Sequence, residues 1–171
     1  TGVQTCALPI FLYGGLFMSR NRAVLLAGLG SLGLLIGALL FQYVGDMAPC
    51  KMCYWQRYPH VGAIVIAGII LITGIGVFAV LGLLSALITA GIGGFHAGVE
   101  QGWWEGPQSC TSASIDNLST EELLAQIMSA PMVRCDEIPW QMFGLSMAGW
   151  NMVVSICLAV LWPIAIKQQR A

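Results

Sequence analysis

The sequence predicts an all-α integral membrane protein: a four-transmembrane-helix bundle with both termini cytoplasmic and two outer loops that carry cysteine pairs. Three observations carry this. Charged residues make up 9% of the 171 residues and hydrophobic residues 57%, against roughly 25% charged in an ordinary soluble domain. Mean hydropathy is +0.80. The apolar residues gather into long charge-free runs, and cations flank the first and last of them. Such a chain lacks the polar surface to coat a soluble globule. With a net charge of −1 and no Lys/Arg cluster, it also lacks the footprint of a nucleic-acid partner.

The N-terminal stretch Cys6 to Phe17 is apolar but holds Pro9, Gly14 and Gly15 and is too short to span. Met18-Ser19-Arg20-Asn21-Arg22 reads as a natural start, so residues 1–17 are expected to be non-native or disordered and 18–171 to form one membrane domain. Cys6 receives no role. Ala23 to Val44 is 22 residues without a charge, about 33 Å of helix and one crossing. It is longer than a signal-peptide core and no Ala-x-Ala site follows, so it reads as an uncleaved anchor.

Tyr58 to Val99 is 42 residues without a charge, about twice the hydrocarbon thickness as helix. It must fold as a hairpin of two spans, with the turn at Thr73-Gly74-Ile75-Gly76. Phe143 to Ile166 supplies the fourth crossing. Arg20 and Arg22 precede the first span, and Lys167 and Arg170 follow the last, which puts both termini inside. The segment Glu100 to Glu137 carries seven acids and one base, Arg134, and belongs outside, as does the loop around Asp46 to Arg57. Trp55, Trp103, Trp104 and Trp140 then form an outer aromatic belt. Within the second outer loop, Ser119-Thr120-Glu121-Glu122 is a capping box. It opens a short amphipathic helix through Leu123, Leu124, Ile127 and Met128, ended by Ala130-Pro131, which either lies on the membrane surface or packs on its own loop.

Four of the six cysteines fall in the outer loops: Cys50 and Cys53 as Cys-Lys-Met-Cys in the first, Cys110 and Cys135 in the second. Disulfides persist on that side. A C-x-x-C pair beside Lys51, Arg57 and a helix N-terminus favours the reactive thiolate. The alternatives are half a metal site or a static staple, but zinc would need four nitrogen or sulfur ligands and neither cysteine pair encloses a histidine. Cys157, inside the fourth span, reads as a small packing residue at a helix interface. His60, just past Pro59, is assigned to the membrane interface. Two dithiols in adjacent outer loops suggest a relay by thiol–disulfide exchange. There is no Gly-rich dinucleotide motif and no C-x-x-C-H, since Tyr54 follows Cys53. The electrons must therefore leave to a lipid-soluble oxidant, with quinone the obvious candidate.

Phe41-Gln42-Tyr43, Pro49-Cys50-Lys51-Met52-Cys53-Tyr54-Trp55-Gln56-Arg57, His96 before Gly98-Val99-Glu100, Gly106-Pro107 before Cys110, and Cys135-Asp136 before Phe143-Gly144 resemble the DsbB family. The resemblance runs from about Met18 to the C-terminus. It implies an enzyme of the bacterial inner membrane, active on the periplasmic side, that reoxidises a DsbA-like dithiol protein and passes electrons to ubiquinone or menaquinone of the membrane pool. It further implies that Cys110 forms the mixed disulfide with the partner and that Cys135 is its mate. Cys50 and Cys53 then receive the electrons, with Cys53 nearest the quinone. Arg57, one turn beyond Cys53, matches the arginine that polarises the quinone, the alternative being a headgroup anchor. His96 matches a histidine near the quinone, the alternative being a packed or solvated interfacial side chain. Lys51 departs from the mostly uncharged residues the family carries there, which bears on redox potential rather than role. The rival readings are a vitamin-K-epoxide-reductase-like enzyme, whose C-x-x-C follows rather than precedes its long loop, and a non-catalytic tetraspan scaffold stapled by disulfides.

Overall fold

A computed structural model describes residues 18–107, 119–129 and 133–167; residues 1–17, with Cys6, and the segment holding Cys110 lie outside these. Four helices are long and apolar enough to span a membrane: α1 (Arg20–Tyr43), α2 (Lys51–Thr73), α3 (Ala79–Glu100, entered through a 3₁₀ turn at Gly76–Phe78) and α5 (Met147–Lys167). The short α4 (Thr120–Ser129) lies in the second long loop.

Each span packs against two others, in the closed order α1–α2–α3–α5. In lipid there is no hydrophobic drive between helices, so close packing of small side chains must hold them. The core bears this out: Ala23, Val24 and Ala27 of α1 meet Ala63, Ala67 and Ile70 of α2, Ala79 and Ala86 of α3, and Ala159, Trp162 and Ala165 of α5. Gly82 lets the Trp162 ring lie directly on the α3 backbone, where any Cβ would collide with it. The large aliphatic residues point outward instead, Leu25, Leu29, Leu40, Val61, Ile72, Ile88 and Val160 among them.

The hairpin turn falls where the glycines predicted. Thr73 ends α2, Gly74 caps it at φ 73°, a left-handed geometry that glycine adopts without penalty, and Arg20 Nη1 donates to the Gly74 carbonyl at 3.1 Å. The start of α1, the α2–α3 turn and the end of α5 thus share one face of the bundle. In the second long loop, the capping box forms as read: Glu122 N donates to Ser119 Oγ at 3.3 Å, and Ser119 N donates to Glu122 Oε2 at 2.9 Å. Those hydrogen bonds from Ser119 hold the exposed Glu122 carboxyl below the usual carboxylate range.

Three readings need correction. The second span begins at Lys51, seven residues before its charge-free run, because Lys51 sits over the Trp55 ring (5.9 Å) and Arg57 finds partners on α1. The fourth span begins at Met147 rather than Phe143. Residues 141–146 form a two-stranded hairpin, β1 (Gln141–Met142) and β2 (Leu145–Ser146), turned through Phe143 (φ 52°) and Gly144 (φ 78°). Its last residue, Ser146, caps α5 by accepting from Gly149 N at 3.1 Å. Finally, Cys157 is exposed on the outer surface of α5, where it contributes nothing to a helix interface.

Candidate active site

Cys50 is the N-cap of α2: its sulfur accepts from Cys53 N at 3.2 Å. This local geometry is what C-x-x-C at a helix start dictates, since the first-turn amides have no intrahelical partner. It brings the two thiols together, with Cys50 Sγ 2.9 Å from Cys53 Sγ. The hydrogen bond to Cys53, then burial, pushes the Cys50 thiol well above its ordinary value.

A second small core at the loop face joins the cysteines from both loops. Cys50 and Cys135 are buried with Met52 and Val99, and Cys53 and Val133 pack against them. Cys135 is held in a disulfide. The sulfurs of Cys50 and Cys135 and a ring nitrogen of His96 all lie within 4.8 Å of one another. With Cys135 oxidised, only two of these three could ligate a metal as thiolate or imidazole, so the cluster is better suited to sulfur exchange than to ion binding. Next to Cys135, Arg134 Nε donates to Asp136 Oδ1 at 3.0 Å and holds the Asp136 carboxyl below its usual range.

Beneath the sulfurs lies a cavity of about 470 Å³, within the range of small-molecule sites. Gly33, Gly37, Ala38 and Phe41 of α1 form one wall; Cys50, Cys53, Gln56, Arg57 and His60 form a second; His96 and Glu100, the loop residues Val133, Arg134 and Glu137 to Trp140, and Met147, Ala148, Trp150 and Asn151 of α5 complete it. Arg57 is tied to α1, donating from Nη1 to Gln42 Oε1 at 2.6 Å and from Nη2 to the Ala38 carbonyl at 3.4 Å. Its guanidinium lies 5.1 Å from the centre of the Tyr54 ring. Two atoms on the cavity wall, His60 Nδ1 and Glu100 Oε2, are buried without a hydrogen-bond partner among the described residues. A mostly apolar cleft bordered by a thiol pair, a guanidinium and unpaired polar atoms fits a flat ring with oxygen at its edge, and thus a quinone.

His60 is not interfacial. It is 3% exposed, and its Nε2 meets Asn151 Oδ1 at 2.8 Å and Thr89 Oγ1 at 3.2 Å. Thr89 Oγ1 donates to the Gln56 carbonyl at 3.0 Å. Sequence reasoning missed this polar knot, Gln56, His60, Thr89 and Asn151, although a histidine and an asparagine inside spans are rare enough to be a signal.

Residues 20–165 match the family model described as disulfide bond formation protein DsbB. The chain belongs to the DsbB family. It is 29% identical over 161 residues to the disulfide bond formation protein B of a Polaromonas species, covering 86% of this chain and 91% of that one. To the protein of the same name from Albidiferax ferrireducens it is 30% identical over 162 residues, 87% and 91% of the two chains. With that of Verminephrobacter eiseniae it shares 32% over 149 residues, 82% and 81%. The DsbB family comprises membrane thiol oxidases that depend on quinone, so the chain is a four-span membrane oxidoreductase of protein dithiols rather than an inert scaffold. Of the residues the resemblance singled out, Cys50, Cys53, Arg57, His96 and Cys135 meet at one site; Cys110 lies outside the described residues.

Proposed function

We propose that this chain works in the bacterial inner membrane with its cysteine face in the periplasm, reoxidising a DsbA-like dithiol protein and delivering the electrons to ubiquinone or menaquinone. Residues 18–171 are taken as one membrane domain with both termini cytoplasmic. The shared face of the α1 start and the α2–α3 turn, together with Arg20, Arg22 and Lys167, supports that orientation.

The observation that carries the reading is the juxtaposition of a Cys50–Cys53 thiol pair, the Cys135 sulfur and an apolar cavity with a guanidinium on its wall. In this reading Cys110, the disulfide mate of Cys135, receives the partner's thiolate and forms the mixed disulfide. The electrons released on Cys135 reach Cys50, whose sulfur lies within 4.8 Å of that of Cys135, through exchange. A quinone, when bound, takes up the two electrons and two protons released as Cys50 and Cys53 close to a disulfide. Arg57 would hold its oxygen edge, a fixed donor that strengthens as negative charge develops in a low-dielectric site. The α1 wall and Phe41 would exclude water from the ring.

The test is turnover of the full chain in detergent with a reduced DsbA-like protein and a short-chain ubiquinone or menaquinone. Replacing Cys135 with Ala should trap Cys110 with the partner as a mixed disulfide. A trapped species that needs Cys53 and persists in Cys110→Ala would reverse the assigned flow.

A further inference from the structure

The hydrogen bonds of His96 aim it at sulfur. Its Nδ1 lies 2.7 Å from Gln56 Nε2, and the same amide nitrogen donates to the Met52 carbonyl at 3.5 Å, which fixes which way the amide faces. An amide NH₂ can only donate, so His96 Nδ1 accepts and the proton of the neutral ring sits on Nε2. That Nε2 is 3.6 Å from Cys50 Sγ and 3.8 Å from Glu100 Oε1, and the ring also meets the Cys135 backbone carbonyl. Cys50 Sγ already accepts from Cys53 N. The Cys53 N–H, together with the His96 Nε2–H that Glu100 Oε1 and the Cys135 carbonyl share, therefore faces one sulfur that is 4% exposed, at the positive end of α2. A neutral thiol gains little from such a setting; a thiolate gains charge-assisted bonds roughly twice as strong as neutral ones.

We propose that His96, its tautomer fixed by Gln56, stabilises the Cys50 thiolate while that sulfur exchanges with Cys135. The proposal rests on the thiol-oxidase reading and gives His96 a role on sulfur. In the exchange, the Cys50 thiolate attacks Cys135 Sγ. The Cys50–Cys135 bond forms as the bond between Cys135 and its disulfide mate breaks, and the mate leaves as a thiolate. The proton given up by Cys50 ends on that departing thiolate, so atoms and charge balance. One disulfide replaces another, and no electron leaves the chain. In the opposite sense, which is that of the proposed electron flow, Cys50 is the leaving group, and a stabilised thiolate leaves faster. His96 is thus a catalytic residue that touches a reacting atom, and Gln56 a positioning residue that acts through it.

Other charged and titratable groups surround this junction: Cys53 and Arg57 on α2, Glu100 on α3, Arg134 and Glu137 from the loop. A test must compare variants in one common background, so that these surroundings are the same in each. In the full chain with every cysteine except Cys50 replaced by Ser, the Cys50 thiolate is titrated by its ultraviolet absorbance and by its rate of reaction with iodoacetamide. Removing one hydrogen bond to a charged group by His96→Leu should raise the thiol's midpoint by about one pH unit and slow alkylation about tenfold at neutral pH. His96→Gln, which keeps an N–H donor, should recover much of this. Gln56→Met should shift the midpoint in the same direction by less. A Cys50 titration unmoved by His96→Leu overturns the proposal. Should His96→Leu fail to fold, ¹⁵N-labelled imidazoles in the unaltered chain decide: the ring whose signals move when Cys50 is alkylated should be the Nε2–H tautomer, and an Nδ1–H signature overturns the assignment. Neither measurement uses quinone or the dithiol partner, so failure here is distinct from failure of the turnover assay.

Discussion

Replacing Arg57 with Met keeps most of the apolar stem and removes the charge and the donor fork. Arg57 is four residues beyond Cys53 on α2, so the two side chains leave the helix on one face, with Cβ atoms about 5–6 Å apart. At that separation and an effective dielectric of about 20, a guanidinium and an anion attract by about 3 kcal/mol. That is on the order of 10²-fold in rate, the same scale as losing one preorganised donor from an active site. The structural loss is smaller. The bonds to Gln42 Oε1 (2.6 Å) and the Ala38 carbonyl (3.4 Å) link α2 to α1, and interhelical hydrogen bonds in membranes average about 0.6 kcal/mol. Arg57→Met should therefore purify as a folded protein, with turnover lower by about 10²-fold and weaker quinone binding. Arg57→Lys should fall between, keeping charge without the fork. The assay follows loss of quinone absorbance with a reduced dithiol partner at several quinone concentrations. Wild-type turnover in a well-folded Arg57→Met would make Arg57 an interfacial anchor and refute the reasoning.

Gly82→Ala drives a methyl into the Trp162 ring and should destabilise the bundle by about 1–3 kcal/mol, read by denaturant or thermal unfolding in micelles; an unchanged midpoint would mean that α3 and α5 yield. Because Arg134 lowers the Asp136 carboxyl, the contribution of that pair is present above the unfolded value of about 3.9 and is lost as pH falls through the lower folded one. Amide exchange around Cys135 should accordingly speed up in strong acid beyond the intrinsic rate, and no such rise should appear in Asp136→Asn. In intact spheroplasts, a cysteine introduced by Lys167→Cys should resist a membrane-impermeant thiol reagent, whereas Cys110 and Cys135 should react after reduction; labelling at position 167 from outside would break the four-span orientation.

The spans were readable because lipid imposes a blunt rule: about twenty apolar residues without charge. The α2–α3 turn and the Ser119 cap were readable because they rest on local backbone chemistry. The grouping of Cys50, Cys53 and Cys135 followed from topology, which placed their loops on one side before any contact was known. Where the sequence misled, the determining contacts were distant. Lys51 and Arg57 broke the apolar run, yet a Trp55 ring and Gln42 of another helix let α2 begin before them. His60 looked like a headgroup contact because its partners, Thr89 and Asn151, lie 29 and 91 residues away. Phe143 looked like the start of a span because its hydrophobicity says nothing of its positive φ. The side on which Cys157 emerges from α5 depends on how that helix is rotated in the ring, and nearly every residue around it is apolar, so no pattern marks the buried face.

Gly33 and Gly37 stand one turn apart on the α1 wall of the cavity, and among the described residues nothing beyond the helix's own nearby backbone lies within 4 Å of where either Cβ would be. On the proposed reading, that thin wall gives a hydrophobic ring a sideways doorway from the bilayer, while the protein dithiol docks from water at the loops above. Two reactants with separate doorways do not exclude one another, and the sulfurs between them carry charge, not matter. Initial rates with both substrates varied should then show neither competing with the other at high concentration. Narrowing the doorway with Gly37→Val should raise the apparent KM for a long-tailed quinone while leaving that for the dithiol protein alone.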